Sequence, residues 1–457
     1  MKKSAIPWQL VICLTLASSP LQAADFLVDT PADSVDSLPG DGLCADALGT
    51  CSLRAAIMET NALAGTDTVD IPAGTYSLTR AGSGENESVS GDLDITDDLI
   101  LLGADVSTTI IDAGALDRVL DLRSAPMRTI AVQGLTLRNG HLPAGAPLVD
   151  GGGGLMVGIG VQLGLTDVVV ADNHMTQHTG GVAIDNRGCL QALRTRIVNN
   201  TDTAATGSGF SSSGGVSTTG EDSCLVLEDS ELSGNRGDQS GAIHVTGGAS
   251  IILRRSLIAQ NEARFSGAIE ISRGIEVRLE NTTISDNAGN PGAILNDGGT
   301  ILVLINSTVT GNHGSNSMAV VGGIQDVHGG FGLTFLSNTI LAGNGPGFSA
   351  DDCSKGQSLD GGNIIGTTAG CQYSALPGDQ INADPGLGPL ADNGGLSRSH
   401  LPGPNAIDHG AAAPCLFLDQ RRIGRPLDGD GDGIAQCDVG AVELRVDSIF
   451  ADGFEAE

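Results

Sequence analysis

"LENTTISDN" (279–287) is followed by "LINSTVTGN" (304–312). Both open on Leu, carry Asn at the third place, a hydroxyl residue at the fourth and an aliphatic one at the sixth, and close on Asn. Aligned on that closing residue, the phrase recurs at Asn173, Asn200, Asn235, Asn261, Asn287, Asn312 and Asn344, in steps of 27, 35, 26, 26, 25 and 32 residues. Three residues earlier stand Val170, Ile197, Leu232, Ile258, Ile284, Val309 and Leu341. Between units lie small-residue runs: "GGVAI" (180–184), "GGVST" (214–218), "GAIHV" (241–245), "GAIEI" (267–271), "GAILN" (292–296) and "GGIQD" (322–326). Several registers keep their residue type together, the mark of an internal repeat.

A period near 25 residues suits a leucine-rich repeat or a β-solenoid. Here the leucine and the next aliphatic residue are five apart, and no helix-forming segment follows. Each unit holds short β-type runs separated by Gly, Asn, Asp and Ser. The chain has 67 Gly in 457 residues and is 40% hydrophobic but only 3% aromatic, so its core is built from Val, Ile, Leu and Ala. The fold class predicted is all-β: a right-handed parallel β-helix of about ten coils, rising about 4.8 Å per coil. In such a rod equal positions stack. Ile258, Ile284 and Val309 form an interior ladder. Asn281, Asn306 and Asn338, six before the closing Asn, are predicted to sit in left-handed turns with their amides stacked in a structural ladder. Glu228, Arg254 and Glu280, seven before it, alternate in charge and predict a salt ladder on neighbouring rungs. Asp229 and Arg255 repeat the pattern one place on.

The rod needs covered ends. "CSLRAAIMETNALAG" (51–65) is the best helix, with Leu53, Ile57 and Met58 on one face and Ser52 as N-cap. "TVDIPAGTYSLT" (68–79) reads as a strand pair around Pro72-Ala73-Gly74. Residues 1–23 carry a basic start, an apolar run and a small-residue end, the pattern of a secretory signal peptide. Setting aside Cys13 within it leaves eight Cys, an even number that suggests disulfides in an exported chain. Cys189 and Cys224 each lie eleven residues before a closing Asn, so they share a register. The rest fall into close pairs: Cys44 with Cys51, Cys353 with Cys371, Cys415 with Cys437. The formal net charge is −31, which repels nucleic acid and anionic membrane. It serves either solubility outside the cell or cation binding.

"DGLCADALGTCSLRAAIMETNA" (41–62) resembles the CSLREA-type N-terminal module of bacterial exported β-helix proteins. Ala55 replaces the signature Glu and removes half of a capping box. The stretch 384–443, with Asp419-Gln420-Arg421 and Cys437 to Glu443, resembles the C-terminal module called choice-of-anchor Q. "IFADGFE" (449–455) is similar to a terminal motif of exported Gram-negative proteins. Together with the signal peptide (1–23) and the β-helix repeats (81–345) read from the residues, these resemblances imply a CSLREA-like cap (24–80), a choice-of-anchor Q-like module (346–446) and a tail motif (447–457). They also imply a secreted or outer-membrane-associated, cell-surface location.

For chemistry the sequence offers little. A polygalacturonase-type Gly-His-Gly is missing; "VHGG" (327–330) comes nearest. Arg254, Arg255 and Arg273 lie near carboxylates, as a lyase base would, but the register assigns Arg254 and Arg255 to ladders. The chain after residue 23 has no Trp and two Tyr, Tyr76 and Tyr373, few rings for stacking sugars. His174 and His178 are read as loop residues. "DGDGDG" (428–433) matches the first half of an EF-hand loop. Asp428, Asp430 and Asp432, completed by Asp438 or Glu443, would hold a structural calcium ion; the alternative is an acidic turn. The leading expectation is an adhesin- or passenger-like monomer with no catalytic residues, binding an extracellular carbohydrate or host surface. The rival is a secreted polysaccharide lyase or glycoside hydrolase. A spacer for the C-terminal module is the third.

Overall fold

The computed structural model describes residues 23–123, 127–142, 151–176, 180–202, 212–297, 299–314, 321–327, 334–345 and 352–445. The signal-peptide segment (1–22), the tail motif, His178 and His328 lie outside them.

The chain is a right-handed parallel β-helix, and every strand pairing between rungs is parallel. Three stacks of short strands run along the rod. The longest begins at Asp25–Leu27 and passes through Asp67–Ile71, Leu99–Gly103 and Arg128–Arg138 to Cys353–Leu359 and Cys371–Ser374. A second passes through Leu257–Ala259, Thr283–Ser285 and Thr308–Thr310, ending at Gln380–Ile381. The third runs from Leu93–Ile95 through Leu120–Leu122, Leu155–Val157, Ile184–Asn186, Val216–Thr219, Ile243–Thr246, Ile269–Ile271 and Ile294–Asn296 to Ile324–Asp326. The coils therefore extend beyond both ends of the 81–345 segment expected to hold the repeats.

Alternation along each strand turns one set of side chains inward. Ile258, Ile284 and Val309 stack in register and are fully buried, as are Leu253, Leu279 and Leu304 in the neighbouring stack. The glycine of the "GA" phrases marks where coils approach most closely. A Cβ on Gly241 would lie 2.1 Å from the Gly267 carbonyl oxygen, and one on Gly267 2.1 Å from that of Gly292. "GGVAI" enters this register two residues early: Gly180 pairs with Ser212, and Ile184 meets Val216.

The helix Leu53–Ala62 lies against the first coils, and Ser52 Oγ accepts from Ala55 N at 3.0 Å. Leu53 and Ile57 are buried, Met58 only partly. Among the described residues no helix is long and apolar enough to cross a membrane. The structure joins Cys44 to Cys51, Cys189 to Cys224, Cys353 to Cys371 and Cys415 to Cys437; Cys189 and Cys224 face each other on adjacent rungs.

The asparagine ladder differs from the expected one. It is the closing Asn that stacks. From Asn173 through Asn200, Asn235, Asn261, Asn287 and Asn312 to Asn344, each Nδ2 donates to the next Oδ1 at 2.8 to 3.0 Å, and Asp352 Oδ1 ends the series. These side chains are buried. Asn281, Asn306 and Asn338 do adopt left-handed backbone, with φ of 49°, 46° and 48°. Their amides do not meet one another, because two of them face the C-terminal segment. Asn338 Nδ2 donates to Ala411 O and Pro414 O, and Asn306 Oδ1 accepts from Leu416 N. Asn281 Oδ1 is buried without a partner.

That segment, residues 384–445, folds back as a strap on the second stack. Thr283 Oγ1 donates to Gln420, Ser285 Oγ meets His400 Nε2, and Ala441 N donates to Thr308 Oγ1. Arg422 pairs with Asp229, 193 residues away in sequence. Val439 and Ala406 bury against Ile340, Ala342 and Ile364.

Candidate functional site

Strands of the third stack are short, with an inward residue on either side of an outward one. The outward positions form one column in register: Asp94, Asp121, Met156, Asp185, Ser217, His244, Glu270, Leu295, Gln325. They face away from the apolar core, yet Asp94, Asp121, Asp185, Ser217, His244 and Glu270 are all buried. Arg123 and Arg187 follow two places after Asp121 and Asp185. Arg123 donates to Asp121 Oδ2 at 2.6 Å and Arg187 to Asp185 Oδ2 at 2.8 Å.

Two cavities open along this column. One, of about 320 Å³, is lined by Arg118, Asp121, Arg123, Met156, Ile159 and Arg187. The other, of about 540 Å³, is lined by Asp185, Arg187, Ser217, Glu221, His244 and Thr246, among others. They share Ile159 and Arg187, so they form one groove. From the rung of Asp121 to that of His244 is four steps, about 19 Å at 4.8 Å per rung.

Burial shifts the ionisable groups here. It pushes the Asp185 carboxyl up, countered in part by Arg187. It lowers His244 to about 4, keeping the ring neutral. It raises Glu270 to about 7, against the lowering effect of hydrogen bonds from Gln239 and Ser272. Ser272 Oγ links the last two: it meets His244 Nε2 at 3.3 Å and donates to Glu270 Oε1 at 3.2 Å. Asp185 and His244 line the groove, and shifted groups in a groove mark a candidate site.

The residues singled out from sequence lie elsewhere. In the expected salt ladder, Glu228, Arg254 and Glu280 are in register, but Arg254 donates only toward Glu280, at 2.8 Å. Glu228 is taken by Arg255, which also grips Asp229 at 2.8 Å. The four acids expected to bind calcium are not brought together. Asp428 and Asp430 meet Asp408 instead, with one oxygen of each within 4.8 Å of the others. Asp428 accepts from Gly431 N and Gly433 N, as an acidic turn does. Asp432 accepts from Ile434 N, while Asp438 is buried and accepts from Asp408 N at 2.7 Å. Asp438 is held in the strap because its own oxygens satisfy amides there.

A family model described as the right handed beta helix region matches residues 158–340 and again 214–375. Among solved structures, pectate lyase Pel9A is similar over 93% of this chain and 98% of its own, at 11% identity and a TM-score of 0.40. Pectin methylesterase from carrot is similar over 75% and 90%, at 10% identity and a TM-score of 0.28. The A-module of mannuronan C-5 epimerase AlgE6 from Azotobacter vinelandii is similar over 76% and 96%, at 15% identity and a TM-score of 0.27. Likenesses this distant carry no argument about activity. No curated protein sequence matches the chain.

Proposed function

Starting from a right-handed β-helix with an ionisable groove along one face, we propose that the protein is an exported polysaccharide-cleaving enzyme, a lyase or glycoside hydrolase. The observation that carries this reading is the column that sets Asp121, Asp185, His244 and Glu270 on one outward line beside an open groove. An extended glycan laid along it has a linkage over Ser217. Asp185, biased by burial toward its acid form, lies one rung to one side. His244, biased toward its neutral form, lies one rung to the other. Each is then one rung, about 4.8 Å along the rod, from the linkage, a separation that one water can bridge for a general acid or base. Arg123 and Arg187, oriented by buried carboxylates, offer guanidinium edges to an acidic sugar.

The test is a screen of acidic and neutral polysaccharides for reducing ends and for unsaturated product absorbance, which separates hydrolysis from elimination. Asp185→Asn and His244→Ala should each lower the rate by about 100-fold or more while leaving the fold intact. Cleavage that persists in both variants removes the assignment of these residues.

A second reading, a surface-displayed adhesin-like β-helix that binds a carbohydrate or host surface without chemistry, is favoured by the Asp185–Arg187 ion pair, which already occupies both groups. It is also favoured by the absence of Phe, Tyr and Trp among the described residues lining the groove. Binding without any product would select it. Either way, export to the medium or the surface of a Gram-negative cell is supported by the disulfides and by the pattern of residues 1–23. The CSLREA-like and choice-of-anchor Q-like modules belong to this proposal. So does a structural calcium ion in the strap, which Asp408, Asp428 and Asp430 would hold.

A further inference from the structure

At the head of the column, where the groove begins at Asp121, three carboxylates converge. Asp94 and Asp121 are opposite each other in register, and Asp92 stands two residues before Asp94. One oxygen of each lies within 4.8 Å of the other two. All three are buried, with relative exposures of 5% for Asp92, 0% for Asp94 and 1% for Asp121. Two of the carboxylate oxygens also have unmet hydrogen-bonding capacity. Asp94 Oδ1 and Asp121 Oδ1 are buried without any hydrogen-bond partner. Their other oxygens are occupied: Asp94 Oδ2 accepts from Ser88 N, and Asp121 Oδ2 takes Arg118 at 2.9 Å and Arg123 at 2.6 Å. In native proteins such orphaned buried oxygens call for an explanation, a bound cation among them.

Asp92, Asp94, Asp117 and Asp121 are four buried acids. Arg118 and Arg123 answer two of them; Arg54 is neutralised by Asp33. Two negative charges are left without a cation, on carboxylates almost wholly withdrawn from solvent. The cluster can be relieved by two protons or by one doubly charged ion.

We propose that Asp92, Asp94 and Asp121 form a binding site for a hard divalent cation of the calcium class. The donors are all carboxylate oxygens, with no His or Cys among them, which selects against zinc and copper. The ion would join the first two rungs of the third stack to the loop that carries Asp92. That loop also receives Arg54 of the capping helix, through the carbonyls of Ser88, Gly91 and Asp92. The site does not depend on the groove being catalytic.

The test uses the full chain, freed of metal by chelation and titrated with calcium at pH 8 by calorimetry, with terbium luminescence as a second probe. Asp428→Asn/Asp430→Asn removes the acidic turn of the strap and is the background for every measurement. In that background calcium binding should persist, and adding Asp94→Asn or Asp121→Asn should weaken it at least tenfold. The Asn variants imitate the protonated acid, so they preserve shape and relieve charge. Circular dichroism checks their folding, and Asp92→Asn serves if one of them fails to fold. No calcium binding in the Asp428→Asn/Asp430→Asn background means protons alone relieve the cluster, and overturns the proposal. Binding unchanged by all three Asn substitutions overturns it equally. Loss of polysaccharide cleavage bears on the groove, not on this site, because the readout here is cation affinity.

Discussion

Glu270 and His244 occupy adjacent rungs of one column, and burial favours the neutral form of each. The consequences for stability run in opposite directions with pH. Glu270 titrates in the folded chain near 7, above its ordinary 4.5. Its contribution is full below about 4.5 and is lost as pH rises through 7. His244 titrates near 4, below its ordinary 6.5, so its contribution is full above about 6.5 and is lost as pH falls through 4. Glu270→Gln should leave stability unchanged at pH 4 and raise it at pH 8 by roughly 3 kcal/mol at most. His244→Gln should flatten the decline between pH 6.5 and 4. Urea unfolding at the three pH values checks both, and a wild-type pH profile retained by both variants removes these residues as its source. In the sequence His244 carries no motif, and Glu270 is only one of the carboxylates near Arg254, Arg255 and Arg273. Each is one polar residue between two aliphatic ones, which announces a strand but not that its outward side is covered. The usable signal was the repetition of ionisable types at that position: Asp94, Asp121, Asp185, His244, Glu270.

Among elements, the inner ladders and the outer ones contribute very differently. Asn261 accepts from Asn235 N and Nδ2, and donates to Leu232 O, Ala259 O and Asn287 Oδ1, all in the dark of the interior. Asn261→Ala strands several of these groups and should cost about 3 kcal/mol or more. Arg254→Ala breaks a pair whose guanidinium side is over a third exposed and should cost less than about 1 kcal/mol. Denaturant midpoints of the two variants, measured side by side, test the contrast; equal losses would refute it. The period, the inward aliphatic stacks and the capping helix were legible because each repeats or has a cap. Which Asn forms the ladder was harder, since Asn281 and Asn287 both recur. The closing place is Asn in every unit from 173 to 344, whereas the earlier place also holds Asp167, Arg194, Asp229 and Arg255. A buried amide stack tolerates no such exchange; a left-handed turn with an outward side chain does.

At the scale of the molecule, the strap is what periodicity could not announce. Its contacts join residues more than a hundred apart, as between Arg422 and Asp229 or Leu416 and Asn306, and nothing in a local pattern encodes them. Val439→Asp would put an unpaired charge into the small cluster with Ile340 and Ile364 and should cost on the order of 3 kcal/mol or more. The expected outcome is selective proteolysis within 384–445 while the far-ultraviolet spectrum of the rungs survives. Simultaneous loss of both would mean that strap and rod fold as one. The strap also gives the molecule a direction in time. Rungs touch only their neighbours, so the rod can lengthen from its helix-covered start as the chain emerges, each coil templated by the one before. The segment that reaches back over the second stack is made after the rungs it covers. Assembly can therefore proceed one coil at a time, whereas disassembly of the covered coils must first undo a latch that was set after them.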